Sequence, residues 1–363
     1  MKINYSSGIN TLGYGYSGYN ICKSLIKMGH DITLFPIGTP EESMGNELAQ
    51  HWYGNKSEHL HSHGANLTTS GEPNYSVRIW HQDNIHPRIG FCHHFGFPIF
   101  ELDIFSQVEL SSIALCDELM VCSEWARQIV LKYFPQMPVH IVPLGIDPSI
   151  FFSCPILQTT NTIFLSVGKW EIRKGHDFTI ECFNKAFSPT DNVELWMMCD
   201  NPFLENKGAD WINKCRTSKL GSKIKIIPRQ PTHQNVYYIM SKADVGLFPS
   251  RAEGWNLELL EMMSIGKHVI CTDYSAHTEF CNKSNSFLID IDSKELAYDG
   301  IWFNNNGYWA HLGQNQEDQY VEHLRNLHKN KQEKNIRLNQ AGIETGRKYT
   351  WEYSAKQLIK ALE

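Results

Sequence analysis

Long apolar runs are missing from this chain: no stretch approaches the roughly 20 residues that a helix needs to cross a bilayer. Paired cysteines are missing as well. The ten cysteines are scattered singly, without a Cys-x-x-Cys spacing and without a secretion signal, which is the usage of reduced, buried thiols in a cytoplasmic protein. On that reading the Asn-x-Ser/Thr triplets that begin at Asn55 and Asn66 are chance. Basic charge is scarce: 33 Lys and Arg stand against 39 Asp and Glu, a net charge of −6. The first 150 residues are more lopsided, with eight basic and fourteen acidic side chains. That balance gives no electrostatic reason to expect nucleic acid, or any bare polyanion, as a partner. No basic amphipathic helix stands out, although peripheral membrane contact stays open. Internal repeats and low-complexity tracts are also absent.

What is present is enough chain, 363 residues, for two ordinary α/β domains. The most informative stretch runs from Ala243 to Glu279. Val245 to Phe248 reads as a buried strand ended by Pro249. A loop then leads into a helix that Asn256 can cap and Gly266 can close, and Val269 to Thr272 is a second apolar run. The unit is a crossover on a parallel sheet. Its helix is apolar nearly all round (Leu257, Leu259, Leu260, Met262, Met263, Ile265) yet carries Glu261, and a buried carboxylate is costly unless it meets donors. The helix start, preceded by Glu253-Gly254, offers unpaired N–H groups and a positive dipole end. A phosphate there and a polyol at Glu261 would satisfy both features. A sugar nucleotide supplies that combination; the bland alternative is a core helix with one satisfied glutamate.

A second anchor follows the apolar run Ile163 to Val167: Gly168-Lys-Trp-Glu-Ile-Arg-Lys-Gly175, three cations bounded by glycines. Near the start, Gly13, Gly15 and Gly18 spell G-x-G-x-x-G between a strand at Met1 to Tyr5 and a helix from Gly18 to Met28. A dinucleotide site also wants an acid at the end of the next strand. That position is Phe35-Pro36-Ile37, so a nicotinamide dehydrogenase is disfavoured, and a tight turn without a ligand stays open. Val77 to Trp80 and Arg88 to Phe91 read as strands whose ends carry His81 and His93-His94. Open α/β sheets bind ligands at such ends, though core histidines remain an equal rival. His59, His61 and His63 alternate in a polar stretch, and with no fourth ligand in view they read as solvated loop. Asp290-Ile-Asp292 reads as surface, not as a metal site.

Glu253 and Glu261, with seven residues between them, combine with Pro249-Ser250, Gly254, Leu257 and Gly266-Lys267. Together they resemble the donor-site motif of retaining glycosyltransferases of family 4. The resemblance implies a GT-B fold: two Rossmann-like domains with parallel sheets facing across a cleft, and a C-terminal helix crossing back to the first. The corresponding ranges are 1–150 on the acceptor side, 151–345 for the nucleotide sugar and 346–363 for the helix.

It further implies that Glu261 binds the ribose, that Glu253 lies against the donor sugar, and that Lys169 and Lys174 hold the diphosphate beside Arg173. Gly13, Gly15, Gly168, Arg229, Gly254, Trp255, Asn256 and Leu257 complete the donor site. His93 or His94 is placed near the sugar, and Glu101 and Asp103 contact acceptor or sugar. Family members usually have Gly and Pro where this chain has Asn256 and Glu258, and more often Arg than Lys at position 169. The implied reaction is transfer from a UDP- or GDP-sugar to an acceptor hydroxyl of a glycan, lipid or small molecule. It retains configuration and uses neither a metal nor a bound cofactor. Two alternatives remain: a viral-type enzyme acting on hydroxymethylated DNA bases, and a non-catalytic nucleotide-sugar-binding protein.

Overall fold

A computed structural model describes residues 1–55, 75–204 and 208–363. The chain divides into two compact units, Met1–Gly145 with Tyr349–Glu363, and Ile146–Lys348. His59, His61 and His63 lie outside the described residues.

In the first unit, six strands form one parallel sheet: β1 (Lys2–Ser7), β2 (Asp31–Pro36), β3 (Tyr75–Ile79), β4 (His93–Phe97), β5 (Glu118–Val121) and β6 (Val139–Ile141). Their order is β2-β1-β3-β4-β5-β6. Both faces of the sheet are covered: Ile3, Tyr5, Ile32, Leu34, Val77, Ile79, Phe95 and Phe97 are buried, and so are the polar residues that alternate with them, Asn4, Ser6, Thr33, Ser76, Arg78 and His94.

The first helix spans Gly13–Lys27, beginning five residues before the expected Gly18. The glycines therefore lie within it, and for Gly15 and Gly18 the reason is close packing. A Cβ on Gly18 would sit 1.8 Å from Ser7 Oγ, and one on Gly15 would sit 2.3 Å from Asn10 Oδ1. Asn10 Oδ1 in turn accepts from the Leu12 N–H at 2.9 Å. A Cβ on Gly13 would meet nothing within 4 Å. The last helix, Trp351–Leu362, is capped by Thr350 and packs on the first, with Trp351 edge-on to Tyr16 at 5.7 Å.

The expected strand at Arg88 to Phe91 does not form. Gly90 has φ 90°, and pairing begins at His93, which registers with Tyr75. His93 and His94 consequently open β4 instead of following a strand end.

The second unit repeats the arrangement with β7 (Thr162–Lys169), β8 (Val193–Asp200), β9 (Ile224–Ile226), β10 (Val245–Phe248), β11 (His268–Thr272) and β12 (Phe287–Ile289). All are parallel, in the order β12-β11-β10-β7-β8-β9. Phe164, Leu195, Met197, Leu247 and Ile270 pack with Phe183, Tyr320 and Leu324 from the helices His176–Ala186 and Gln314–Gln332. The helix Gln340–Lys348 starts where the Asn339 side chain accepts the Gly342 N–H. An antiparallel hairpin of β13 (Lys294–Tyr298) and β14 (Asn304–Ala310) was not foreseen. Asp290 and Asp292 are exposed beside it, and Asp292 accepts from Asn315 at 2.8 Å.

Candidate active site

The loop after β10 enters the helix Leu257–Ser264 through Asn256, which has φ 86° and ψ 78°. A non-glycine residue in left-handed conformation costs about 1–3 kcal/mol, and Asn is among the few side chains that tolerate it. Here the side chain repays that strain twice. Its Oδ1 accepts from the Leu259 N–H at 3.3 Å, and its Nδ2 reaches His277 Nε2 at 2.9 Å. His277 Nδ1 faces the Thr272 carbonyl at 3.0 Å, so Nδ1 carries the proton and Nε2 accepts. This network explains how Asn stands where the resembling enzymes carry Gly. The helix itself is held by Leu259, Leu260, Met262 and Met263, all buried, each contributing about 1.5–3 kcal/mol.

Glu253 is the centre of the site. Its Oε1 accepts from Ser250 Oγ at 2.7 Å and from Lys174 Nζ at 2.9 Å, and its Oε2 from Arg173 at 2.8 Å. Its own N–H donates to Ser275 Oγ at 2.8 Å. Burial would raise the Glu253 pKa, but Arg173 and then Lys174 outweigh it and hold the carboxyl far below the usual range. Arg173 bridges onward to Glu171 at 2.8 Å, and Glu171 also holds Lys169 at 2.9 Å. The loop can turn this tightly because Gly175 has φ 70° and a Cβ there would lie 2.1 Å from the Pro249 carbonyl oxygen. Six charges thus balance: Lys169, Arg173 and Lys174 against Glu171, Glu253 and Glu258, the last with Oε2 3.9 Å from Lys174. Lys169, whose side chain is 40% exposed, is the most accessible of the three cations.

Two neutral histidines brace the cluster. His176, just past Gly175, has its ring nitrogens on Ser166 Oγ (3.1 Å) and the Lys169 carbonyl (2.9 Å). Burial lowers both His176 and His277 to about 4. The unfolded chain protonates them near 6.5. Their stabilisation is therefore complete above pH 6.5, declines as the pH falls through that value, and is spent below about 4. The denaturation midpoint is expected to drop across this window, and His277→Gln to flatten that drop in urea titrations run at several pH values.

Glu261 is different. It is buried, His233 Nδ1 lies 4.0 Å from its Oε1, and among the described residues no hydrogen bond stabilises its charged form. Burial first, and Glu258 second, push its pKa well above the usual carboxylate value. Because the folded pKa is raised, the site is unpenalised below about pH 4.5, and the penalty grows as the pH rises from there. Glu261→Met is expected to stabilise the empty protein by about 1–3 kcal/mol at pH 7 and to leave it unchanged near pH 4. Thermal melts at the two pH values check this.

In the first unit, the structure brings other residues together. Tyr14, at the glycine-rich start of the first helix, hydrogen-bonds Ile99 beyond β4 and lies 4.4 Å from the His81 ring beyond β3. Glu101 is close enough to raise the Tyr14 pKa, after burial, which is the larger cause. Glu101 is half-buried and Asp103 buried. His93 and His94 do not join them. His93 pairs with Glu118 at 2.9 Å, and His94 is a buried core residue between Ser76 Oγ and the Ile85 carbonyl, both at 3.0 Å. Both sit where β4 begins, while Tyr14 and His81 follow the carboxyl ends of parallel strands. Of the expected donor contacts in the second unit, Trp255 is buried against Phe280 at 4.8 Å, Gly254 is buried, Leu257 is half-buried and Arg229 is exposed after β9.

Residues 161–302 match the family model described as Glycosyl transferases group 1. Likeness to solved structures covers the whole chain. Sucrose-phosphate synthase from Thermosynechococcus elongatus is similar with a TM-score of 0.63, 13% identity, and coverage of 99% of this chain and 98% of that one. Anabaena Alr3699/HepE, solved in complex with UDP and glucose, is similar with a TM-score of 0.68 and 13% identity over 100% and 99%. The fold is GT-B. A protein of Sulfolobus islandicus filamentous virus (isolate Iceland/Hveragerdi), provisionally named glycosyltransferase 45, is 23% identical over 247 residues. That match spans 62% of this chain and 64% of the viral relative, a little under two thirds of its length.

Sequence reading missed four participants in the GT-B second unit. Glu171, Ser275 and His277 are described above. Arg251 donates its N–H to the Arg173 carbonyl at 2.7 Å, and its guanidinium forks onto Asp177 (3.1 Å) and reaches Glu295 (3.3 Å). A signal existed for Ser275 and His277, since both follow the carboxyl end of β11, where open parallel sheets gather ligand-binding loops. Arg251 had none, because its role depends on the unforeseen hairpin. No group of three or more His, Cys, Asp or Glu arranged for a metal occurs among the described residues, and none of the helices described there is long and apolar enough to cross a membrane.

Proposed function

We propose that the second unit binds a nucleoside-diphosphate sugar and that the chain transfers the sugar to an acceptor hydroxyl with retention of configuration, without a metal, as family 4 enzymes do. One observation carries the reading. Within nine residues the chain sets a carboxylate saturated by cations (Glu253), a helix start capped at Asn256 and a buried carboxyl whose charge no donor offsets (Glu261). Ribose hydroxyls are the donors that Glu261 lacks. The diphosphate meets the helix N–H groups, Lys169 and Lys174. Because Glu253 already neutralises part of the buried charge, Lys169 and the helix dipole supply the net attraction.

On this reading the acceptor attacks on the face that the diphosphate leaves, and charge growing on the departing phosphate is met by groups already in place. Each such donor is worth about 10²–10³-fold in rate. Glu253, with both oxygens engaged, positions Lys174 and Arg173. UDP bound in the Anabaena neighbour supports a nucleoside diphosphate as the carrier. The expected outcome is slow release of UDP or GDP from one member of a panel of nucleotide sugars, with the α-linked donor giving the α product by NMR and EDTA leaving the rate unchanged. Release from none of them, with a folded protein, rejects catalysis in favour of a binding protein.

A further inference from the structure

The hairpin carries the exposed apolar side chains Leu296, Tyr298 and Trp302, and Phe203, in the loop after β8, lies against Trp302. Phe203 and Trp302 are 53% and 54% exposed. Their rings meet at 6.2 Å and 82°, forming a right-angled corner. Lys169 Nζ lies 5.6 Å from the Phe203 ring centre, so the corner adjoins the candidate donor site through that lysine.

The presentation of Trp302 is built. Asp299 Oδ1 accepts the N–H groups of Ile301, Trp302 and Phe303 at 2.8, 2.8 and 2.9 Å, fixing the turn while the indole projects outward. The hairpin is stapled to the site loop: the Ala310 N–H donates to the Arg251 carbonyl at 2.9 Å and Arg251 Nε to Glu295 at 3.3 Å, while within the hairpin Trp309 Nε1 donates to the same Glu295 at 3.0 Å. Exposed Asn304, Asn305 and Asn306 follow the turn.

We propose that the Phe203–Trp302 corner is a saccharide subsite. A pyranose has an apolar C–H face that stacks on an aromatic ring and a rim of hydroxyls that pairs with planar amides. The occupant is a sugar ring and not an anionic surface, because Asp290 to Ala310 holds four carboxylates against one lysine. The subsite takes its place beside Lys169 from the donor reading above, but its ligand is tested separately.

The full chain labelled with 5-fluorotryptophan, with the Trp302 resonance assigned by Trp302→Phe, is titrated with three sets of probes. These are UDP and GDP; UDP-glucose, UDP-galactose, UDP-N-acetylglucosamine and GDP-mannose; and the methyl α- and β-glycosides of the same four sugars. A shift with a nucleotide sugar, but not with its nucleotide, assigns the ring to the donor. A shift with a free glycoside assigns it to the acceptor. Phe203→Ala is expected to weaken the responding titration about two- to tenfold while leaving UDP or GDP affinity by calorimetry unchanged. Silence of Trp302 toward every saccharide, or a shift with bare nucleotide alone, overturns the proposal. Failure of UDP and GDP to bind at all overturns the donor reading instead.

Discussion

Lys174→Ala is expected to lose about 10²–10³-fold in turnover while remaining folded. The lysine is buried, and burial alone would lower its pKa; Glu253 and then Glu258 more than offset this and hold it above the ordinary lysine value. It is therefore a fixed positive charge that needs no reorganisation when a phosphate leaves, the condition under which such a group matters most. The fold survives because Glu253 keeps Arg173 and Ser250 as partners. Arginine is not expected to rescue it: the lysine stem lies against Gly168, where even a Cβ would come within 3.4 Å of Cε, and a planar guanidinium is bulkier. Donor hydrolysis and a thermal melt measured on the same preparation check both halves. Near-normal turnover removes Lys174 from the mechanism.

Glu253→Ala is expected to act on stability as strongly as on rate. It strips the shared carboxylate from Arg173 and Lys174, both buried, and leaves two like charges facing each other. Breaking a buried pair costs about 3–5 kcal/mol, mostly because the remaining charge is stranded. Removing the stranded charge should recover much of that. The double variant Glu253→Gln with Lys174→Met is expected to be more stable in urea than the sum of the single variants predicts, and still inactive. Strict additivity would mean that the two side chains do not depend on one another.

These expectations draw on parts of the molecule that were unequally legible. Glu253, Glu261 and the lysine loop could be read because strand, glycine, charge and helix follow one another within a few residues, and local order of that kind is written along the chain. Asn256 was legible as a cap but not as a left-handed residue braced by His277, since its partner lies 21 positions away on another loop. The histidines at 93 and 94 were misplaced for a related reason. Arg88 to Phe91, just before them, resembles a strand, but pairing with β3 begins only at His93, and register is a property of two strands, not one. The hairpin escaped because the large apolar residues Leu296 and Tyr298 face outward while the buried position between them is only Ala297, so the apolar alternation there marks the solvent side. The glycines of the first helix were seen, yet their cause, contact with Ser7 and Asn10, is steric and emerges only in three dimensions.

The most direct test of the donor site is a crystal structure of the protein soaked with UDP and, in parallel, GDP. The account predicts one nucleotide in the second unit, its ribose hydroxyls within 3.2 Å or so of the Glu261 carboxylate and its phosphates at the start of the Leu257–Ser264 helix beside Lys169 and Lys174. A nucleotide bound elsewhere, or a Glu261 carboxyl that stays without a ligand while the nucleotide is held by other groups, contradicts it.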